Sequence, residues 1–258
     1  MTALIACSHG TSSPEGRAVI TRIRERLARA VPDAAVHEAY VDVEQPEVAD
    51  VVTRAAATGA PVVVVPLLLS TGFHTSVDIA GAVRPHPRAV AAAALGPHPA
   101  LVLALRDRLA ALSGGDAGHR PGDHVVLAAA GSTDPAAARA VEHTRDLLAD
   151  RLPCPVSIGY GAGCGPTLPE AVAAARDAGA LRVIAASYVL APGYFANLVR
   201  HAGADLVSAP LGDHHEVIRV AALRLREALA GLGARTRIPG SSRTDPAGRV
   251  EISAVVTR

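Results

Sequence analysis

Short apolar runs alternate along this chain with longer stretches whose apolar residues recur every three or four positions. The runs at residues 4–7, 34–41, 62–69 and 89–95 are predicted to be strands, and the stretches at 14–30, 46–58, 75–83 and 98–112 are predicted to be helices. The run at 62–69 is almost wholly apolar, which is typical of a strand covered on both faces. This alternation predicts a parallel sheet with right-handed crossovers.

The same order of elements starts again after a glycine-rich, mixed-charge break at residues 113–123. Strands are expected near residues 125 and 156 and from 182, and helices from 135, 168 and 213. Two motifs recur at an offset of 121: HGTSSP at 9–14 aligns with AGSTDP at 130–135, and LSTGFH at 69–74 aligns with LAPGYF at 190–195. Repetition at one offset predicts a duplicated domain.

The predicted division is therefore a first copy at 1–113, a linker at 114–123 and a second copy at 124–232. Residues 233–258 are rich in glycine, serine, arginine and proline, and we expect a partly disordered tail there. Within that tail, residues 250–256 have the pattern of an edge strand.

Composition narrows the range of functions. Half of the 258 residues are hydrophobic, enough for a large core, and only 2% are aromatic, so platforms for stacking nucleic-acid bases are nearly absent. The net charge is +1, which leaves no electrostatic footprint for nucleic acid. Because all 25 basic residues are arginine, a Walker-type phosphate loop with its lysine is excluded, and ATP-driven chemistry is not expected.

We found no signal-type segment, and the longest apolar run, residues 60–69, is half of the about 20 residues that cross a bilayer. The cysteines Cys7, Cys154 and Cys164 are widely spaced and form no Cys-x-x-Cys motif, so neither a disulfide scaffold nor a zinc knuckle is indicated. We expect a cytoplasmic protein without nucleic-acid or membrane partners. A monomer would suffice, because one chain supplies both copies.

Two histidines stand where strands are predicted to end. His9 follows the first strand and His74 follows the third, and open α/β sheets hold their ligands at the carboxyl ends of strands. The second copy has Ala130 and Phe195 at the aligned positions. Loss of both histidines together favours a functional pair over two independent turn-capping residues.

Asp42 ends the second predicted strand, so its carboxylate is expected to open onto the same crevice. The alternative is a capping or turn residue ahead of the helix predicted from Pro46. Two imidazoles and a carboxylate suit a divalent metal such as Fe²⁺, Co²⁺, Ni²⁺ or Zn²⁺, and the same groups are general bases. The residues alone do not separate these roles.

Three segments together resemble the class II, ATP-independent chelatases, and among them the CbiX/SirB group of sirohydrochlorin chelatases. They are the strand followed by Ser8-His9-Gly10, the Asp42-x-x-x-Pro46 segment, and VPLLLSTGFHTSVD at 65–78. The resemblance covers about residues 1–230 as two tandem copies. It implies two chelatase-like (flavodoxin-like) α/β domains, each a parallel β-sheet flanked by helices, that face each other across a cleft.

The resemblance also implies an activity, the insertion of a divalent metal into sirohydrochlorin on the way to sirohaem or cobalamin. Fe²⁺ is favoured because the tail lacks a His-rich tract, and Co²⁺ comes next. His9 and His74 would be metal ligands and bases, assisted by Asp42, where the family typically has glutamate. The metal would be a substrate, with no permanently bound cofactor.

The resemblance extends to the substrate, because sirohydrochlorin carries eight carboxylates. Gly10, Ser70, Thr71 and Gly72 are candidate amide or hydroxyl donors to it. The candidate charge partners for those carboxylates are Arg17, Arg54, Arg84 and Arg200. The second copy would form the opposing wall, with residues 193–195 offering the macrocycle an apolar face.

Two other functions compete with this hypothesis. A histidine phosphatase also has a strand-end His-Gly, but it needs an arginine directly before the histidine, and this chain has Ser8 there. A cytosolic metal or tetrapyrrole carrier would share the cleft without turnover.

Overall fold

A computed structural model describes residues 1–70, 72, 74–113 and 120–236 of the chain. Within these residues the chain forms two four-stranded sheets, and all strand pairs in both are parallel. The strand orders are β2-β1-β3-β4 and β6-β5-β7-β8, so the second sheet repeats the topology of the first. We call the two sheets with their connecting helices the first and second lobes.

The first lobe contains four strands and four helices. Its strands are β1 (Thr2–Ser8), β2 (Ala34–Tyr40), β3 (Val62–Pro66) and β4 (Ala89–Ala91). Its helices are α1 (Pro14–Ala30), α2 (Val48–Ala56), α3 (Ala80–Val83), which continues a π-helical turn at His74–Ile79, and α4 (Pro99–Ala110), which ends in a 3-10 turn at Ala111–Ser113.

The second lobe repeats this order. Its strands are β5 (Asp123–Ala129), β6 (Val156–Tyr160), β7 (Arg182–Tyr188) and β8 (Leu206–Val207). Its helices are α5 (Pro135–Ala149), α6 (Leu168–Asp177), α7 (Tyr194–Arg200) and α8 (His215–Thr236). Sequence patterns did not predict α7 and β8, because both are too short to show a period of their own.

The sequence placed most elements within a few residues of their observed bounds. Helix α1 spans 14–30 as predicted, capped by the Ser13 hydroxyl, and its apolar face (Val19, Ile20, Ile23 and Leu27) is buried. The predicted start of α2 at Pro46 is wrong: the Pro46 carbonyl accepts the Tyr40 N–H, so residue 46 belongs to the end of the sheet and the helix begins at Val48. Strands β3 and β4 end earlier than predicted.

The last helix of each copy packs on the other lobe. Helix α4 lies against β7 and α5, α8 lies against β3, β4 and α1, and the two helices contact each other. As a result, a single hydrophobic cluster contains Leu4 and Val63 of the first sheet together with Leu127 and Ile184 of the second. The copies at 1–113 and 124–232 therefore repeat in sequence, but neither copy packs only on itself. The last helix of each copy, α4 or α8, packs on the sheet of the other copy.

The sequence positions predicted as linker and tail lie largely outside the described residues. These are residues 114–119 and 237–258, the latter including the predicted edge strand at 250–256. The first four residues of the predicted tail, 233–236, continue α8. Among the helices that the structure describes, none is long and apolar enough to span a membrane.

Candidate functional site

A cavity of about 390 Å³ lies between the two lobes. Both sheets turn their carboxyl ends toward it, since the segments after β1, β3, β5 and β7 all line it. Its lining is mainly apolar, which is typical of a site for an organic ligand. The first lobe contributes Ser8–Ser12, Ile20, Val43 and Leu67–Leu69, and the second contributes Ala129, Ala130 and Tyr188–Phe195.

His9 is part of the cavity lining contributed by the first lobe, and it directly follows β1. Its carbonyl accepts the Asp42 N–H at 3.1 Å, which joins the turn after β1 to the turn after β2. Gly10 follows with φ +93°, and a Cβ at this position would lie 2.4 Å from the Asp42 carbonyl oxygen. Only glycine fits this turn, so the Ser-His-Gly motif holds His9 against the neighbouring loop. The cavity lining includes Gly10, one of the candidate donors to the substrate.

Glu44 anchors the same turn, and the sequence analysis did not single it out. One carboxylate oxygen of Glu44 accepts the Thr11 N–H at 2.8 Å, and the other lies 3.0 Å from the Arg17 guanidinium. The Glu44 side chain is 13% exposed, so both interactions are partly shielded from water. A carboxylate two residues after Asp42 was visible in the sequence, but only the fold shows that it reaches the turn after β1.

Asp42 also lies beside His9, but its carboxylate is used locally. It accepts the Val43 N–H at 2.8 Å, and Asp42 is exposed and absent from the cavity lining. Val43 itself lines the cavity, 54% exposed, with a left-handed φ of +56° that is rare for a β-branched residue. Its counterpart in the second lobe is Gly163, with φ +77°. The offset is 120 here, because Pro46 and Pro166 accept the same sheet hydrogen bond, from Tyr40 and Tyr160.

The segment after β3 brings the second predicted histidine to the same end of the first sheet. His74 begins the π-helical turn, but its side chain lies outside the described part of the molecule, as do Thr71 and Phe73 entirely. Ser70 is partly buried and does not line the cavity. Gly72 faces the second lobe, where a Cβ would lie 3.5 Å from the Ser132 hydroxyl.

The second lobe forms the opposite wall, as predicted. Tyr194 and Phe195 line the cavity with their rings packed edge to face at 5.3 Å, and Tyr194 is 70% exposed. At the base, the Tyr188 hydroxyl donates to the Leu69 carbonyl at 3.1 Å and so joins the lobes. Burial raises the pKa of Tyr188 to about 12, which keeps this donor protonated.

Two further polar groups bear on the chemistry of the cavity. The Ser8 hydroxyl is buried and has no hydrogen-bond partner among the described residues, although Ser8 lines the cavity. Beneath it, burial and the Asp78 carboxylate raise the pKa of Cys7 to about 12. Cys7 therefore packs as a small apolar residue and not as a thiolate.

None of the four arginines proposed for the substrate carboxylates lines the cavity, and Arg17 is already engaged by Glu44. The structure places no cluster of three or more histidine, cysteine or acidic residues with metal-binding geometry among the residues it describes. What the described cavity provides is one imidazole, an unpartnered hydroxyl and two apolar walls.

The chain is similar to curated proteins over a part of their length. It is 32% identical over 80 residues to a protein named sirohydrochlorin cobaltochelatase from Methanopyrus kandleri, covering 31% of this chain and 56% of that protein. It is 27% identical over 77 residues to a protein of the same name from Methanosarcina barkeri, covering 30% of this chain and 59% of that protein. The chain thus spans little more than half the length of these relatives.

Solved structures match nearly the whole chain. One is described as SirB from Bacillus subtilis with Fe³⁺, with TM-score 0.76, 20% identity, and coverage of 91% of this chain and 98% of that one. Another is described as CbiX, the terminal enzyme for biosynthesis of sirohaem in denitrifying bacteria, with TM-score 0.63, 20% identity and coverage of 88% and 99%. These matches confirm the predicted pair of tandem chelatase-like α/β domains.

The family model for CbiX matches residues 3–112 and again residues 124–228, once in each lobe. These two stretches make up most of the chain and correspond to the two copies of the repeat. The resemblance drawn from the strand-end motifs is thereby confirmed, and the chain belongs to the CbiX family.

Proposed function

We propose that this protein inserts a divalent metal into sirohydrochlorin without ATP, with Fe²⁺ the favoured metal and Co²⁺ the next. The observation that carries this proposal is the cavity itself. It places His9 on one wall and the apolar Tyr194–Phe195 face on the other, at the carboxyl ends of both sheets. Such walls suit the flat apolar faces of a tetrapyrrole ring, whose nitrogens lie at its centre and whose carboxylates lie at its edge.

The reaction requires few groups. Each turnover transfers M²⁺ to the ring nitrogens and releases two pyrrole N–H protons, so the site must hold a metal loosely and accept protons. An imidazole does both, since its ring nitrogen binds a divalent metal or accepts a proton. His9 and His74 are assigned these roles in the proposal, as metal ligands and as bases.

Asp42 is assigned the part of a proton carrier between the histidines and water. Its exposed position and its backbone link to His9 support this role. Only its Oδ1 accepts the Val43 N–H, so its Oδ2 can take a proton and pass it to water at the rim of the cavity.

The substrate carboxylates need donors at the rim. Gly10 and the Ser70, Thr71 and Gly72 loop are proposed to supply backbone N–H and hydroxyl groups. The buried Ser8 hydroxyl adds a donor that lacks a protein partner within the described residues, and a bound polar group would satisfy it.

The choice of metal is the finer part of the proposal. Imidazole and carboxylate ligands accept Fe²⁺ and Co²⁺ alike, so ligand type does not select between them. Among the similar proteins, the relatives from Methanopyrus kandleri and Methanosarcina barkeri are named cobaltochelatases, and structures of SirB from Bacillus subtilis hold Fe³⁺ or cobalt. We further propose that the protein acts in the cytoplasm as a monomer, with the metal as a substrate and no resident cofactor.

The test is anaerobic metallation of sirohydrochlorin, followed by absorbance, with Fe²⁺ and Co²⁺ in parallel reactions. We expect many equivalents of product per protein, and a higher kcat/KM with Fe²⁺. A single equivalent of bound sirohydrochlorin without turnover would identify a carrier and refute the enzyme. A higher kcat/KM with Co²⁺ would keep the enzyme and reverse the metal assignment.

A further inference from the structure

A second cavity, of about 510 Å³, lies behind α7 at the carboxyl ends of β7 and β8. Its lining includes two arginines and two serines, and none of the described lining residues is acidic. The polar lining residues are Arg108 from α4 of the first lobe and Ser187, Arg200 and Ser208 from the second. Within the described chain, neither arginine pairs with a carboxylate.

The guanidinium of Arg108 has few hydrogen-bond acceptors within the described chain. Its Nη2 donates to the Leu211 carbonyl at 2.7 Å, while its Nε–H is buried and has no acceptor among the described residues. A buried, unpaired N–H of a charged group is costly, so the positive charge of Arg108 is incompletely compensated by the described chain.

The duplication supplies an internal comparison, because Arg224 in α8 occupies the place of Arg108 at an offset of 116. Each nitrogen of Arg224 has an acceptor: Nε donates to the Ala94 carbonyl at 2.8 Å, Nη1 to the Glu227 carboxylate at 2.9 Å and Nη2 to the Leu95 carbonyl at 3.3 Å. At the same offset, the counterpart of Glu227 is Ala111, which lines the second cavity. The cavity therefore lies where the first lobe has its own carboxylate.

Other polar residues of the second cavity also stand where the first lobe has apolar residues. Arg200 aligns with Ile79 at the offset of 121, and Ser208 aligns with Ala92 at the offset of 116; these first-lobe residues are 0% and 9% exposed. An apolar, filled region of the first lobe is thus a polar, open one in the second. Arg200 is exposed, and among the described residues its guanidinium donates only to the side-chain oxygen of Asn197 in its own helix, at 2.9 Å.

We propose that this second cavity binds an oxyanion, a carboxylate or phosphate group of a small free anion, between Arg108 and Arg200. The anion takes the place that the Glu227 carboxylate has beside Arg224 in the first lobe. Charge-assisted hydrogen bonds from two guanidinium groups suit either oxyanion. The site is separate from the cavity that His9 lines, and it does not depend on the metal chemistry proposed there.

The test uses the full chain and measures binding by titration calorimetry and by the thermal unfolding midpoint. Sodium phosphate and sodium succinate are the probes, with sodium chloride at equal ionic strength as the control. We expect saturable binding of one anion per chain and a midpoint that rises with its concentration. Tighter binding of phosphate or of succinate identifies the oxyanion group.

Matched variants locate the site. Ala111→Glu rebuilds the carboxylate of the first lobe beside Arg108 and should abolish binding while raising the midpoint without ligand. Arg200→Gln, at an exposed position, should weaken binding at least about tenfold, a loss of about 1.4 kcal/mol. Arg224→Gln should leave binding unchanged. Absence of saturable binding, or binding that Ala111→Glu leaves intact, would overturn the proposal.

Discussion

The Glu44 carboxylate accepts the backbone N–H of Thr11 at 2.8 Å and thereby fastens the turn that carries His9. Hydrogen bonds to a charged group contribute about 1.5–3 kcal/mol, and removing the acceptor leaves the Thr11 N–H unpaired. We expect Glu44→Ala to lower the free energy of unfolding by about 1–3 kcal/mol and to reduce kcat for metallation more than it changes KM. Chemical denaturation and steady-state kinetics measure the two effects.

Two control variants separate the parts of this interaction. Glu44→Gln keeps an oxygen acceptor for Thr11 and should retain most of the activity. Arg17→Gln removes a pair whose arginine is 52% exposed, and such pairs contribute less than about 1 kcal/mol. If Glu44→Gln were as damaging as Glu44→Ala, the charge and not the anchored turn would be the important feature.

The two strand-end histidines are expected to act together. His9→Ala and His74→Ala should each lower the metallation rate by about 100-fold or more, in the range typical of positioned acid–base groups. The circular dichroism spectrum and the thermal midpoint should stay close to those of the unmodified protein. His143→Ala, at an exposed position of α5, is the matched control and should keep full activity. Near-normal rates for both site variants would refute the assignment.

Gly10 and Gly131 form a matched pair across the duplication. Both have a left-handed backbone, and an added Cβ would lie 2.4 Å and 1.9 Å from a backbone oxygen of the neighbouring loop. Alanine at either position should therefore cost at least about 1–2 kcal/mol of stability. Only Gly10→Ala displaces His9, so its kcat should fall much further than that of Gly131→Ala. Equal kinetic losses in the two variants would contradict this difference between the lobes.

Val43 carries backbone strain that its counterpart Gly163 avoids. In Val43→Gly, relief of a left-handed conformation worth about 1–2 kcal/mol exceeds the entropic cost of glycine, about 0.5–1 kcal/mol. We expect unchanged or slightly higher stability together with a raised KM for the tetrapyrrole, because an apolar side chain is lost from the cavity wall. A lower thermal midpoint would show that Val43 stabilises the loop instead.

His98 makes the stability of α4 depend on pH. Its Nδ1 accepts the Ala100 N–H at the start of the helix, and burial and nearby Arg224 lower the pKa of His98 from its ordinary value of 6.5. The cap is thus present above pH 6.5 and is lost as the pH falls through the lowered pKa of the folded state. His98→Asn, which caps the helix without titrating, should flatten the fall of the thermal midpoint as the pH drops below 6.5. Parallel profiles for the two proteins would exclude His98 as the titrating group.

Local patterns were sufficient for much of the fold. The apolar face of α1 and the all-apolar β3 specify their elements through periodicities that neighbouring residues determine. The motif repeat at one offset predicted two lobes, and the strand-end positions of His9 and His74 placed the candidate site. Short elements such as α7 escaped prediction because seven residues give no reliable period.

Only the tertiary structure decided which residues distant in sequence lie in contact. The exchange of α4 and α8 between lobes depends on which exposed sheet face each helix can cover, and no local pattern records that choice. No local pattern records the hydrogen bond from the Thr11 N–H to the Glu44 carboxylate either. The Arg108 Nε–H, likewise, is seen to lack an acceptor only in the folded chain, where Arg108 lies beside the second lobe. Periodicity and motif spacing therefore determined most of the elements and indicated the candidate site residues, because these signals depend on neighbours along the chain. The tertiary structure decided which of those residues meet, because burial and hydrogen bonding act between parts of the chain that folding brings together.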